Sequence, residues 1–290
     1  MIERPRIGPV SHADLASLIR LGKLAEWNTT REDWLVALSS SRFIGHRDSE
    51  GRLITCGCLT PYEANKGMLG LIITDPDYGR MGLGGELVSQ LVTLLPSQDT
   101  NIGLIATDMG VGLYSKHGFR EVGKIDRRLA YSFQNDAQLE ALPEGWRLEK
   151  SLPVKDLSAL IRLDAAQFGA PRGKMIKRRF GHCDQRLFLY DSEDTLKGFI
   201  LGHSSEKLCA LGPIIAPNAQ LAAYMVGQLD VKEHKPLQLD VPLCHTKFVE
   251  YLEQLGFEKN GVVSPIMMRG NWEVNTGWGN YFGLAAQCFL

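Results

Sequence analysis

At 290 residues the chain has room for about two domains. Its 44% hydrophobic and 22% charged residues are the composition of a globular protein that buries large cores without disulfides or metals. A net charge of -1, from 32 basic and 33 acidic residues, gives no electrostatic case for nucleic acid or an anionic membrane. No apolar run reaches the roughly 20 residues of a membrane span, and Met1-Ile2-Glu3-Arg4-Pro5 lacks a signal-peptide core, so a cytoplasmic protein is expected.

In chain order, Ser11-x-x-Asp14 and Thr30-x-x-Asp33 each open an apolar-periodic helix, as capping boxes with Asp in place of Glu. Strands are predicted at 42–47, 52–59 and 67–74. A helix over 83–95 sets Leu83, Leu87 and Leu91 on one face. A short buried strand covers 102–106, a helix 111–117 ends at Gly118, and strands follow at 120–124 and 127–133. The second half repeats the order, with helices at 154–167 and 172–180 and strands at 186–190, 197–203 and 208–215. A helix at 218–230, a strand at 237–241, a helix at 246–255 and a strand at 264–269 complete it.

The parallel extends to the residues themselves. Asp48-Ser49-Glu50 recurs as Asp191-Ser192-Glu193, and Leu69-Gly70-Leu71-Ile72-Ile73-Thr74 as Leu211-Gly212-Pro213-Ile214-Ile215-Ala216. Leu113-Tyr114 with Gly118-Phe119 is matched by Tyr251-Leu252 with Gly256-Phe257. Three matches in one order at offsets of 138–143 indicate a duplicated domain, with a polar seam near 134–145. The six cysteines form no zinc pattern. Cys56-x-Cys58 shares one strand face, and the thiols read as buried and reduced.

Chemistry concentrates after the strand at 67–74. Gly82, Gly84 and Gly85 let backbone approach a ligand, and free N–H groups at the helix start form an anion site suited to phosphate or pyrophosphate. No Gly-Lys-Ser/Thr follows, which excludes a P-loop, and the dinucleotide fingerprint fits poorly.

This stretch resembles the acetyl-CoA loop of the GNAT superfamily of N-acetyltransferases, Arg/Gln-x-x-Gly-x-Gly/Ala preceded by Pro-x-Tyr. Pro76-Asp77-Tyr78 and Gly82-x-Gly84 match; Gly79 stands where the family has Arg or Gln, and Arg80 follows. The family's second segment, Asn-x-x-Ala-x-x-Leu-Tyr-x-x-x-Gly-Phe, is similar to residues 107–119, with Thr107 for Asn and Gly110 for Ala. The second half resembles the C-terminal domain of the tandem GNAT subgroup through residues 211–216, 239–242 and 255–257. The resemblance implies an α/β (α+β) fold of two GNAT-type domains, each a mixed, mostly antiparallel sheet flanked by helices. The expected division is 1–140 for acetyl-CoA binding and 141–290 for a degenerate domain. Between matched strands the second copy has 22 residues where the first has 29, and the loss falls on the Gly-rich turn. One acetyl-CoA per chain is therefore expected, in the first half.

The resemblance further implies cofactor contacts from Ile72, Thr74, Arg80, Met81, Gly82, Leu83, Gly84 and Gly85. It puts Tyr114 near the CoA sulfur as the acid for the departing thiolate. Asp108 is the first candidate for general base, ahead of His46 and Glu63. Trp27 and Asn28 are candidates for acceptor contact, while Trp34 reads as core. Arg172, Lys174, Lys177, Arg178 and Arg179 form a basic helix, either a solvated face or a patch for an acidic group. The expected activity is acetyl transfer from acetyl-CoA to a primary amine of a small molecule, without a metal. No nucleic acid or membrane partner is expected, and the chain reads as a monomer or homodimer. The alternatives are a non-catalytic acyl-CoA-binding sensor and a protein lysine or N-terminal acetyltransferase.

Overall fold

Both capping boxes form. Thr30 Oγ1 accepts from the Asp33 amide at 3.1 Å while the Thr30 amide donates to Asp33 Oδ2 at 2.9 Å, and Ser11 and Asp14 make the same exchange. The structure is a computed structural model that describes residues 4–63, 65–97, 99–131, 139–230, 235–272 and 278–289. The chain packs as two units, Met1–Val122 with Pro265–Trp272 and Phe289, and Gly123–Ser264 with Glu273–Cys288 and Leu290.

The first unit runs β1 (Arg6–Val10), α1 (Leu15–Leu24), α2 (Arg31–Ser40), β2 (Arg42–Arg47), β3 (Thr55–Pro61) and β4 (Lys66–Thr74). It continues with α3 (Leu83–Leu91), β5 (Asn101–Ile105) and α4 (Asp108–Lys116). Its sheet has the order β1-β2-β3-β4-β5, antiparallel except for the parallel pair β4 and β5. The outer edge of β5 pairs antiparallel with residues 266–269, the end of β12 (Glu258–Arg269). Leu87, Val88 and Leu91 of α3 pack on Leu59, Leu69 and Leu104 of the sheet, which is why the leucine spacing predicted this helix.

The second unit holds most of β6 (Arg120–Ala130), then β7 (Arg147–Glu149), α5 (Leu157–Phe168), α6 (Gly173–His182), β8 (Gln185–Tyr190) and β9 (Leu196–Ser204). After these come β10 (Cys209–Ile215), α7 (Ala219–Gly227), β11 (Leu237–Pro242), α8 (Thr246–Gln254), the first part of β12, and β13 (Tyr281–Gly283). The sheet order is β6-β11-β10-β9-β8-β7, again with one parallel pair, β10 and β11, and β13 lies antiparallel on β10. Each unit is thus a mixed, mostly antiparallel sheet with flanking helices, as the resemblance implied.

Several details differ from the sequence reading. β6 is one strand where two were expected, because Gly123 and Lys124 continue the extended chain instead of turning it. Residues 132–133 of the expected second strand lie outside the described residues, as does part of the seam. α4 begins at Asp108, three residues before the expected start, since Thr107 takes an extended N-cap conformation. By its contacts the first unit also takes in residues 265–272. The basic helix is not a uniform face: Arg172 and Arg179 are buried, leaving Lys174, Lys177 and Arg178 exposed. Cys56, Cys58, Cys183 and Cys209 are buried, but Cys244 is exposed. Among the described residues no helix is long and apolar enough to cross a membrane.

Candidate active site

The site of the first unit begins with a defect in β4. Gly70 faces Cys58 and Ile73 faces Cys56, so three steps on β4 match two on β3 and the strand bulges. Leu71 sits in the bulge at φ 52°, a strained conformation for a branched residue. Its carbonyl accepts from Cys56 Sγ at 3.4 Å. Burial pushes the Cys56 thiol up to about 12, so it remains a protonated donor.

Beyond the bulge the parallel strands part. The β4–β5 ladder runs only from Lys66 opposite Asn101 to Met68 opposite Gly103, although β4 continues to Thr74. Among the described residues no strand pairs with β4 past Met68 on that side. The strands part toward their carboxyl ends, and each leads into a helix, β4 into α3 and β5 into α4.

The turn from β4 into α3 is held from below. The Asp75 carboxylate accepts from the Asp77 amide at 3.2 Å and from Arg20 Nη1 at 2.7 Å, while Arg20 Nη2 donates to the Leu53 carbonyl at 2.6 Å. Tyr78 donates to Asp48 Oδ2 at 3.0 Å and accepts from Arg52 Nη2 at 3.1 Å. Arg80 at φ 62° and Gly82 at φ 79° then reverse the chain. Gly82 is the N-cap of α3 and supplies no side-chain acceptor, so the first-turn amides of Leu83, Gly84 and Gly85 are left for a ligand. Arg80, Met81 and Gly82 are exposed. A Cβ on Gly84 would lie 3.6 Å from Leu113 Cδ2 and 3.7 Å from Thr74 Oγ1, which sets the start of α3 beside both the end of β4 and α4.

Tyr114 lies on α4, one residue past Leu113. Its ring packs edge-on against Phe119 with centroids 6.1 Å apart, and a Cβ on Gly110 would lie 2.7 Å from its Cε2. That crowding accounts for glycine at position 110. Burial pushes the Tyr114 hydroxyl up to about 12 and keeps it protonated.

The remaining candidates are distributed differently. Asp108 is the exposed first residue of α4, about 9 Å along the helix from Tyr114 at 1.5 Å per residue. His46 is fully buried, with Nδ1 2.8 Å from Thr55 Oγ1 and Nε2 3.7 Å from Glu86 Oε2 on α3. Burial holds its pKa below the usual range, against the opposing pull of Glu86. Glu63 pairs with Lys66 at 3.1 Å where β4 begins, about 26 Å of strand from Thr74. Trp27 is half-buried in the turn after α1, its amide donating to the Gly22 carbonyl at 3.0 Å, and Asn28 is exposed beside it. Trp34 is core, packed on Phe43, as expected.

Thr74, Gly84 and Leu113 are therefore brought together, Tyr114 packs on Phe119 one residue further along α4, and Asp108, His46 and Glu63 are not grouped with one another. Sequence reasoning missed Arg20, Asp75 and Cys56. Only Asp75 carried a local signal, an acidic residue directly before Pro76.

The corresponding turn in the second unit is closed. α7 starts directly after Asn218, whose side chain accepts from the Leu221 amide at 2.9 Å and so occupies the helix start.

The split parallel pair and the glycine-capped helix after its first strand form the candidate ligand cleft of the first unit. Residues 14–119 match the acetyltransferase (GNAT) family and residues 160–283 the acetyltransferase (GNAT) domain, together more than half of the chain. The chain belongs to the GNAT acetyltransferase family and carries two such domains in tandem. It is 29% identical over 252 residues to the uncharacterized N-acetyltransferase YitH of Bacillus subtilis (strain 168), covering 85% of each chain. Its fold is similar to a candidate acetyltransferase from Pyrococcus horikoshii, with a TM-score of 0.79 at 16% identity over 100% of this chain and 97% of that one. A tandem GNAT protein from the clavulanic acid biosynthesis pathway superposes with a TM-score of 0.69 at 14% identity, over 93% and 100%.

Proposed function

We propose that the protein is an acetyl-CoA-dependent N-acetyltransferase that acts on a primary amine of a small molecule and binds one acetyl-CoA in its first unit. The observation that carries this reading is the cleft between β4 and β5, with an open strand edge on one side and an uncapped helix start at its end. Acetyl-CoA would supply the thioester that the amine attacks directly. The first-turn amides at 83–85, with Arg80 nearby, suit its pyrophosphate. The free backbone edge at Ile72 and Thr74 suits the amide-bearing pantetheine arm, which hydrogen-bonds as a strand does. Tyr114, protonated and one residue past Leu113 on α4, suits donation of a hydrogen bond to the thiolate as it departs. Asp108 is exposed at the α4 N-terminus and remains the proposed base, directly or through water. Trp27 and Asn28 are the proposed acceptor contacts.

A panel of small amines and lysine peptides incubated with acetyl-CoA and read by mass spectrometry tests the reading. Acetylation of one or more small amines is expected. Saturable acetyl-CoA binding with no acetyl transfer to any amine would instead indicate an acyl-CoA-binding sensor. Transfer confined to peptides would make the acceptor a protein.

A further inference from the structure

The second unit repeats the split that makes the first cleft. β10 and β11 pair in parallel only from Cys209 opposite Leu237 to Leu211 opposite Leu239, then part, although β10 runs on to Ile215. The bulge is repeated as well, since Leu211 faces Gly202 and Ile214 faces Ile200. Among the described residues no strand pairs with the β4 edge beyond the bulge, whereas in β10 it is covered by β13.

The covering is complete in backbone terms. Ile214 faces Gly283 and Ile215 faces Tyr281, the Ala216 amide donates to the Asn280 carbonyl at 3.1 Å, and the Leu284 amide donates to the Asp240 carbonyl of β11 at 3.0 Å. Residues 280–284 thus bond to both of the strands that have parted. At Gly212, φ 144°, the space of a Cβ is taken by the Leu284 carbonyl, so β10 itself is shaped for this close approach.

Side chains on both faces of the segment are also received. Tyr281 Oη accepts from Arg172 Nη2 at 2.8 Å and from the Ala285 amide at 3.0 Å, and Arg172 is held by Asp164 through two bonds of 2.8 Å. Phe282, on the opposite face, lies against His245 and Phe248 with ring centroids 4.4 and 5.2 Å away. His245 Nε2 donates to the Tyr281 carbonyl at 3.0 Å. A Cβ on Gly283 would meet Ile214 Cγ1 at 3.1 Å, so the position after the two aromatics favours glycine.

We propose that the second cleft is a binding site for an extended peptide, and that residues 278–285 of this chain are its resident ligand. Recognition is by strand addition with a Tyr-Phe-Gly signature, in the space whose counterpart in the first unit we assign to pantetheine. The second unit is closed to acyl-CoA twice over, by Asn218 at the helix start and by β13 along the strand. That comparison rests on the function proposed above, but the seating of the segment does not.

Hydrogen exchange on the full chain, read at single amides, tests this. In the ligand-free protein the amides of Ala216, Leu284 and Ala285 should exchange slowly, and saturating acetyl-CoA should not change them. Tyr281→Phe removes the hydroxyl that Arg172 and the Ala285 amide share, and Gly283→Val crowds Ile214. Either variant should speed exchange at Ala216 and Leu284 by about tenfold or more, and leave Leu160 in α5 unchanged. The inference is overturned if these amides exchange at unstructured rates in the wild type or gain protection from acetyl-CoA. It is equally overturned if both variants leave them slow, or quicken the whole unit evenly. Failure of acetyl-CoA to protect the amides at 83–85 would count against the proposed function alone, because the ligand-free rates decide the seating of the segment.

Discussion

Burial decides what Tyr114 can do. A hydroxyl pushed up to about 12 stays protonated through any practical assay, so no alkaline fall in rate below about pH 11 should trace to it. Full proton transfer to a thiolate of pKa about 8.5 would run uphill, so the role proposed for Tyr114 is hydrogen-bond donation. Tyr114→Phe keeps the ring against Phe119 and should lower kcat about 10- to 100-fold with little change in acetyl-CoA affinity. A kcat within about twofold of wild type, with chemistry rate-limiting, would reduce Tyr114 to a packing residue. Burial acts oppositely on His46 and His245, holding both below the usual 6.5 and therefore neutral in the fold. The unfolded chain takes up these protons first as pH falls. Their stabilising contribution is present above about pH 6.5 and is lost as pH drops through that value toward their folded pKa. Melting temperatures should decline between pH 7.5 and 5, and His46→Gln should flatten the slope. Thiol reactivity follows the same logic. Cys56 and Cys58, raised to about 12 and fully buried, should resist alkylation in the native protein while exposed Cys244 is labelled first, a ranking that peptide mass mapping reads directly.

The turn into α3 separates backbone conformation from open space, because two of its glycines are there for different reasons. Gly82 needs φ 79°, so Gly82→Val should cost about 1–3 kcal/mol of stability as well as weaken acetyl-CoA binding. Gly84 has no such demand, and its Cβ would make ordinary contacts with Leu113 and Thr74. Gly84→Ala should therefore melt close to wild type yet bind acetyl-CoA more weakly, if the proposed approach of the pyrophosphate to this backbone holds. Calorimetry finding equal affinity in the folded Gly84→Ala protein would remove this turn from the binding site. Such turns and the leucine stripe of α3 were legible because their signals are local. The short strands β1, β7 and β13 were not: each has five residues or fewer, and Pro9 and Gly283 interrupt any alternation. The pairing of Arg20 with Asp75 was likewise silent, since partners 55 positions apart leave no periodic trace. The bulge at Leu71 was hidden because extra residues in a strand register only against a partner.

Taken as a molecule, the chain has kept one architecture twice and used it unequally. The second unit depends on a buried ion pair. Arg172 and Asp164 are almost fully excluded from solvent, so Arg172→Met should destabilise the protein by about 3–5 kcal/mol by leaving the carboxylate unpaired. A urea midpoint unchanged by that substitution would show that Asp164 is solvated or protonated instead. The exchange of residues 265–272 into the first unit also has a consequence in time. β5 is the inner member of a pair whose partner, 266–269, is translated some 160 residues later. At ribosomal rates of about 5–20 residues per second, β5 waits roughly 8–30 seconds with an uncovered edge. Nascent first units on neighbouring ribosomes present the same bare edge to each other, which is the geometry of strand-swapped aggregation. A gene split near residue 142 would make that interval permanent, so the chain has to be finished before either half is whole.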